Sequence, residues 1–216
     1  MHDATEDYTF GKKVKTVLLF GPHGAGKDTF SERLDFQKFY HLSSGNMFRK
    51  IAQKDTEMRE LLAAGKYVDD SQTIKTLYTV LQDEIAEENF NPKTQYLFLN
   101  GIPRTMVQKI ALKNDFDIVK CIEIYVPDDL CIQRMMSRKD GRPESRTLEK
   151  CATRMELYNK QTYPVKEEYK YGDDFYRQKK YITISNVQDR EGENLDTYCR
   201  EKMKEALEDL EDLLEI

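Results

Sequence analysis

An apolar run, Val14 to Phe20, opens directly into Gly21-Pro-His-Gly-Ala-Gly-Lys27 and then into a helix-friendly segment. No other feature restricts the fold of this chain so closely. Its glycines let successive backbone N–H groups turn toward an anion, and the positive end of the following helix adds to their field. A complete G-x-x-x-x-G-K after an apolar strand is the pattern of a phosphate-binding loop. Gly24, Ala25 and Gly26 would supply backbone donors, and Lys27 a charge able to bridge two phosphoryl groups.

Four more β-rich runs follow: Phe39–Ser44, Gln95–Asn100, Cys121–Val126 and Tyr181–Ser185. Several are nearly unbroken in Val, Ile, Leu, Phe and Tyr, as strands covered on both faces tend to be. Charged, helix-compatible stretches such as DTFSERLDFQKF and TMVQKIALKND separate them. Alternating strand and helix at this spacing predicts βαβ units and a parallel sheet. The expected fold is therefore α/β, a three-layer sandwich of five parallel strands with helices on both faces. Two intervals, Gly45–Asn91 and Arg134–Tyr176, exceed a simple crossover and suit lid-like insertions or solvated connections. The last segment places Met203, Leu207, Leu210 and Leu214 at helical spacing opposite a charged face. That is most simply a helix packed on the sheet, with a partner-binding tail as the alternative.

At 216 residues the chain suits one domain. Its net charge of −5 argues against non-specific nucleic-acid binding. Cys121, Cys131, Cys151 and Cys199 form no C-x-x-C pair, so no zinc or redox motif is expected, only reduced thiols. The acidic start lacks the apolar core of a targeting peptide, and no apolar run approaches the roughly 20 residues that cross a bilayer. A soluble, cytoplasmic protein with no membrane partner is expected.

One residue in the loop is at odds with the general phosphate-loop pattern, which has Ser or Thr after the lysine. Here Asp28 stands there and Thr29 follows. Gly-Lys-X-Thr is how the loop runs in adenylate kinases and related nucleoside monophosphate kinases, and the chain resembles that family well beyond the loop. HLSSGNMFRK resembles the monophosphate-binding segment, which implies Ser44 and Gly45 at the acceptor base and Arg49 on its phosphate. AAGKYVDD resembles the stretch whose Lys66, Tyr67 and Val68 would line the same pocket. In LNGIPRTMVQ, Gly101 and Arg104 would hold the acceptor phosphate and Gln108 would read adenine.

RMMSR supplies Arg134 and Arg138, matching the pair that clasps the donor's phosphates together with the loop residues Gly24 to Thr29. GRPESR and TRMELY supply Arg142 and Arg154, matching lid arginines that close on both phosphate groups. The resemblance implies a core of about 14–44, 80–136 and 152–216. It adds a monophosphate-binding insertion of about 45–79 and a short, zinc-free lid of about 137–151. It also implies ATP and a nucleoside monophosphate as partners, Mg²⁺ carried by ATP, and a monomer. Independently of the family name, phosphoryl transfer between two anions requires alignment and charge neutralisation, which Lys27, Arg49, Arg104, Arg134, Arg138, Arg142 and Arg154 would supply. Arginine suits the task because its planar fork grips phosphate oxygens in pairs.

Several family acids are missing. Asn46 stands at an acidic position, Asn100 where an aspartate would hold Mg²⁺ through water, and Arg142-Pro-Glu-Ser145 where the lid carries paired aspartates. Either Asp28 restores negative charge near the metal, or it faces away from the nucleotide and interacts with the first helical turn. His23 replaces the usual loop proline and reads as a spacer. The leading expectation is ATP-dependent phosphorylation of AMP, favoured by Ser44 and Gln108. The alternatives are a UMP/CMP or deoxynucleotide kinase, a nucleotide-binding protein with weak or no transfer, and, more distantly, a kinase for another metabolite.

Overall fold

The computed structural model describes residues 10, 12–53, 55–63, 68–137, 147–172 and 180–187, with 201, 204, 208, 209 and 212 near the C-terminus; side chains are described for all of these but 62 and 63. Lys66, Tyr67, Arg138, Arg142 and Cys199 lie outside the described residues, as do the four apolar positions of the C-terminal run.

Five strands form one parallel sheet in the order β2-β3-β1-β4-β5. They are β1 (Val14–Phe20), β2 (Phe39–Ser43), β3 (Tyr96–Asn100), β4 (Phe116–Tyr125) and β5 (Tyr181–Ser185). The near-continuous apolar runs are explained by burial on both faces. Along β1, Leu18 and Phe20 enter one core cluster while Val17 and Leu19 enter the other. Along β3, Leu97 and Leu99 face the first, Tyr96 and Phe98 the second. This period of two is the pleat of a strand.

Helices close both faces. On the first lie α2 (Ser44–Ala52), through Met47 and Phe48, and α4 (Asp70–Ala86), through Leu77 and Leu81. With them pack α5 (Met106–Leu112), through Leu112, and α8 (Tyr163–Glu167), through Val165. On the second lie α1 (Lys27–Ser31), through Phe30, α6 (Asp128–Ser137), through Cys131 and Met135, and α7 (Leu148–Leu157), through Cys151 and Met155. Between α2 and α4 runs α3 (Thr56–Ala63). A π-helical turn, Tyr158–Thr162, joins α7 to α8, and a second, Glu168–Gly172, follows it. Three of the cysteines, Cys121, Cys131 and Cys151, are buried thiols outside any disulfide. Burial pushes the Cys131 thiol up to about 11, which keeps it protonated at neutral pH.

Two elements differ from the sequence expectation. The segment DTFSERLDFQKF is helical only as far as Ser31. Beyond it the chain turns at Asp35, which accepts the backbone N–H of Gln37 on its side chain at 2.9 Å and those of Lys38 and Phe39 on its carbonyl. Such local side-chain bonds favour a turn over a continued helix. Conversely, β4 begins at Phe116, earlier than its apolar run, because Phe116 to Ile118 pair with Val14 to Thr16 before a register shift. Pairing with a central strand overrides the local polarity of Asp117 and Lys120.

Register decides where the chemistry sits. Asn100 is opposite Leu19 of β1 on one side and Ser43 of β2 on the other. The carboxyl ends of these three strands therefore end together, and the loops that follow them meet.

Candidate active site

Those strand ends frame a cavity of about 100 Å³ lined by, among others, Lys27, Asp28, Arg49, Asn100, Arg104 and Tyr158. Crevices outside the carboxyl ends of parallel strands are the usual ligand sites of open α/β sheets. A second cavity of about 320 Å³ adjoins it, sharing Ser44, Gly101 and Arg104, and continues past Phe48, Val68 and Gln108.

The glycine loop is shaped by close backbone approaches. Gly24 has φ +91°, and a Cβ there would come within 2.5 Å of the Cys131 carbonyl oxygen at the start of α6. Gly26 has φ +93°, and its Cβ would meet Asn186 Nδ2 at 2.8 Å. Only glycine combines this left-handed backbone with such proximity. Lys27 donates from Nζ to the carbonyls of Gly21 (2.7 Å) and Pro22 (2.8 Å), so the loop holds its own cation in the cavity mouth.

Asp28 lies on the cavity side of α1, and Asn100 Nδ2 donates to its Oδ1 at 3.0 Å. Thr29 is exposed. Behind this pair, on β2, His41 packs edge-on to Phe98, with a buried Nε2 that finds no hydrogen-bond partner among the described residues. Burial lowers the His41 pKa, and the negative charge of Asp28 opposes that shift.

Helix caps fix the arginines. Ser43 caps α2 by accepting the Asn46 N–H at 3.1 Å, which starts the helix at the strand end. Arg49 thereby rises from α2 into the cavity, with its guanidinium donating to Asn46 Oδ1. Arg104 is held from two directions: Nε donates to the Gly101 carbonyl at 2.9 Å and Nη2 to Ser44 Oγ at 2.8 Å. Thr105 caps α5 by accepting the Gln108 N–H at 3.2 Å, which turns Gln108 inward.

The structure thus brings Lys27, Asp28, Ser44, Gly45, Arg49, Asn100, Gly101 and Arg104 to one cavity, and Val68 and Gln108 to its neighbour. Arg134 and Arg154 line neither of these two. Arg134, on α6, donates from Nη2 to the Asn186 carbonyl at 3.0 Å, while Asn186 Nδ2 donates to the Ala25 carbonyl at 2.8 Å. Arg134 is therefore tied to the glycine loop through one residue. Arg154 is in the last turn of α7 and half-buried.

Sequence reasoning missed Asn186, Asp70, Tyr158 and Thr162. The available clue to Asn186 was its place directly after β5, where a parallel strand delivers its ligand-facing residue. Tyr158 and Thr162 border the cavity from the π-helical turn, a geometry with no compositional mark. Burial, reinforced by the charge of Glu123, raises the Tyr158 hydroxyl well above its ordinary range. It stays a neutral hydrogen-bonding group.

Among the described residues, no group of three or more His, Cys, Asp or Glu side chains could enclose a metal ion, and no helix is long and apolar enough to cross a membrane.

The sequence of this chain is similar to those of known proteins. The family model described as adenylate kinase matches residues 19–173. The chain is 30% identical over 186 residues to an adenylate kinase of Flavobacterium psychrophilum, covering 81% of this chain and 94% of that relative. It is 31% identical over 178 residues to an adenylate kinase of Encephalitozoon cuniculi, covering 80% and 90% respectively. A family match over most of the chain, on a parallel sheet whose strand ends converge on a lysine-bearing glycine loop, leads to one assignment: the chain belongs to the adenylate kinase family of phosphotransferases.

Proposed function

We propose that the protein, acting as a monomer, transfers the γ-phosphoryl group of MgATP to a nucleoside monophosphate, with AMP the preferred acceptor and two ADP the products. The observation that carries this reading is the meeting of Lys27, Arg49 and Arg104 in one hollow at the carboxyl ends of β1 to β3. Three fixed positive groups around one small space suit two polyanions brought end to end.

In this reading the acceptor base occupies the larger cavity, against Phe48, Val68 and Ile102, and its phosphate reaches Arg49 and Arg104. ATP lies along the glycine loop. Lys27 exchanges the Gly21 and Pro22 carbonyls for phosphoryl oxygens and follows the charge as the P–O bond to ADP breaks and the bond to the acceptor oxygen forms. Arg134 and Arg154, with Arg138 and Arg142, neutralise the transferring group. The insertion of about 45–79 and the lid of about 137–151 close over the two nucleotides and exclude water, which would otherwise accept the phosphoryl group.

The residues present suit Mg²⁺. That ion takes one or two carboxylates plus substrate phosphates and keeps several waters. Asp28 offers one carboxylate at the cavity, and Asn100 leaves its amide oxygen available for a water. Bound with ATP, the ion would neutralise phosphate charge and hold the β and γ groups in position.

A second reading, a nucleotide-binding protein with little transfer, is favoured by the neutral Asn46 and Asn100. One experiment separates the two: a coupled assay with ATP and each of AMP, UMP, CMP, GMP and dAMP, run with Mg²⁺ and with Mn²⁺. Turnover fastest with AMP is expected. Binding without turnover on every acceptor supports the second reading, and faster turnover with a pyrimidine acceptor overturns the choice of AMP.

A further inference from the structure

Gln108 is 3% exposed and lines the larger cavity. An amide has two N–H hydrogens on nitrogen and two lone pairs on oxygen. One of each is already committed. The backbone N–H of Arg104 donates to Gln108 Oε1 at 2.7 Å, and Gln108 Nε2 donates to Asp70 Oδ1 at 2.8 Å. A backbone N–H can only donate and a carboxylate can only accept, so these partners themselves dictate which end of the amide is oxygen and which is nitrogen. Flipping the amide would set nitrogen against an N–H and oxygen against a carboxylate. Both contacts would then repel.

What remains for a ligand, among the contacts of the described residues, is one lone pair and one N–H, side by side, in a cavity whose lining also includes the apolar Phe48, Val68 and Ile102. That pair matches a ring carrying an exocyclic amino group next to an unprotonated ring nitrogen. It mismatches a ring carrying an oxo group next to a protonated nitrogen, which needs the opposite orientation. Asp70 is the first residue of α4, with Asp69 capping the helix by accepting the Gln72 N–H at 2.9 Å. Its carboxylate therefore stands on a rigid element, at the rim of the cavity.

We infer that Asp70 is a specificity-determining positioning residue: by holding the Gln108 amide in one orientation, it makes the pocket select 6-amino over 6-oxo purines, and 4-amino over 4-oxo pyrimidines. This rests on the reading of the larger cavity as the acceptor-base site. Asp70 acts through Gln108, and its removal leaves the Arg104 N–H as the one remaining hydrogen-bond partner of the amide among the described residues. In D70N the introduced side-chain amide could donate to or accept from either end of Gln108, so a flipped amide would lose one bond instead of opposing two partners.

The test is binding by isothermal titration calorimetry of AMP, IMP, CMP and UMP to the full chain, as wild type, D70N and D70E, with a melting curve for each. In the wild type, AMP should bind at least tenfold more tightly than IMP, and CMP more tightly than UMP. In D70N both ratios should fall about tenfold or to parity, while D70E, which keeps a carboxylate, retains most of them. A purely structural role for Asp70 would weaken all four nucleotides alike; that result, or unchanged ratios in a folded D70N, overturns the inference. The wild-type ratios are read without any variant, so a poorly folding D70N does not remove the test. A wild type that binds AMP and IMP equally overturns this inference and leaves the kinase reading standing. A wild type that binds none of the four overturns the acceptor-site reading, and this inference with it.

Discussion

Asn100 Nδ2 donates to Asp28 Oδ1 at 3.0 Å, linking the end of β3 to the first turn of α1 across 72 residues of chain. Asp28 follows the loop lysine, where an anion opposes phosphate. Its contact with Asn100 points the carboxylate into the cavity, so it does not face away from the site. Two like charges about 4 Å apart repel by roughly 1–4 kcal/mol at intermediate dielectric, and a cation between them reverses the sign. Exchanging Asp28 for asparagine should therefore raise the Mg²⁺ concentration for half-maximal activity several-fold while leaving the rate at saturating Mg²⁺ within a few-fold. The measurement is initial rate against free Mg²⁺ at fixed ATP. An unchanged metal requirement would falsify a metal-directed role for this carboxylate.

A buried ion pair holds the helical segment that brings Tyr158 and Thr162 to the cavity. Lys166 Nζ lies 2.6 Å from Glu123 Oε1, with the side chains 7% and 6% exposed. Tyr181 and Thr183 of β5 donate to Glu123 Oε2 at 3.1 and 3.2 Å. Burial alone would depress the Lys166 ammonium, but the Glu123 hydrogen bond and charge outweigh it and raise its pKa. Removing one partner strands the other charge. K166M alone should thus lower the urea-unfolding free energy by about 3–5 kcal/mol, and K166M combined with E123L by much less. Equal losses in the single and double variants would show that the pair is not the source.

His41 predicts a pH dependence with a defined sign. Its folded pKa lies below the ordinary value of 6.5, chiefly through burial, so the unfolded chain takes up its proton first as pH falls. Stability associated with His41 is complete above about pH 6.5 and is lost as pH drops from there toward the folded pKa. H41Q should flatten the loss of melting temperature between pH 7 and pH 5. Parallel pH profiles for wild type and variant would remove His41 as a contributor.

Two glycines of the site should respond differently to alanine. At Gly24 the backbone has φ +91° and the new Cβ would meet a carbonyl oxygen at 2.5 Å, so G24A should melt several degrees lower and bind ATP at least tenfold more weakly. At Gly45 the obstacle is the mobile end of the Arg49 side chain at 3.2 Å, on the second residue of a helix. G45A should fold with nearly wild-type stability, because alanine favours the helix and the guanidinium can shift. Thermal melts and ATP titration of both variants make the comparison.

The parallel sheet and the glycine loop were legible in the sequence because each is written in adjacent residues. Unbroken apolar runs mark strands buried on both faces, and G-x-x-x-x-G-K keeps its spacing whatever surrounds it. The basic residues around the cavity were legible too, through family-like segments each only a few residues long. What no local pattern carried was pairing across the chain. Asp28 with Asn100, Lys166 with Glu123, and Gln108 with Asp70 are 72, 43 and 38 residues apart, and each depends on strand register or on a helix cap to bring its partners within 3 Å. The turn at Asp35 and the early start of β4 both run against local composition: a side-chain contact of Asp35 in one case, and pairing with a neighbouring strand in the other, outweighed it. Sequence by itself determined which residues the site has at its disposal; tertiary structure decided which way they face and which are already engaged, because orientation and hydrogen-bond occupancy arise only once distant segments share a surface.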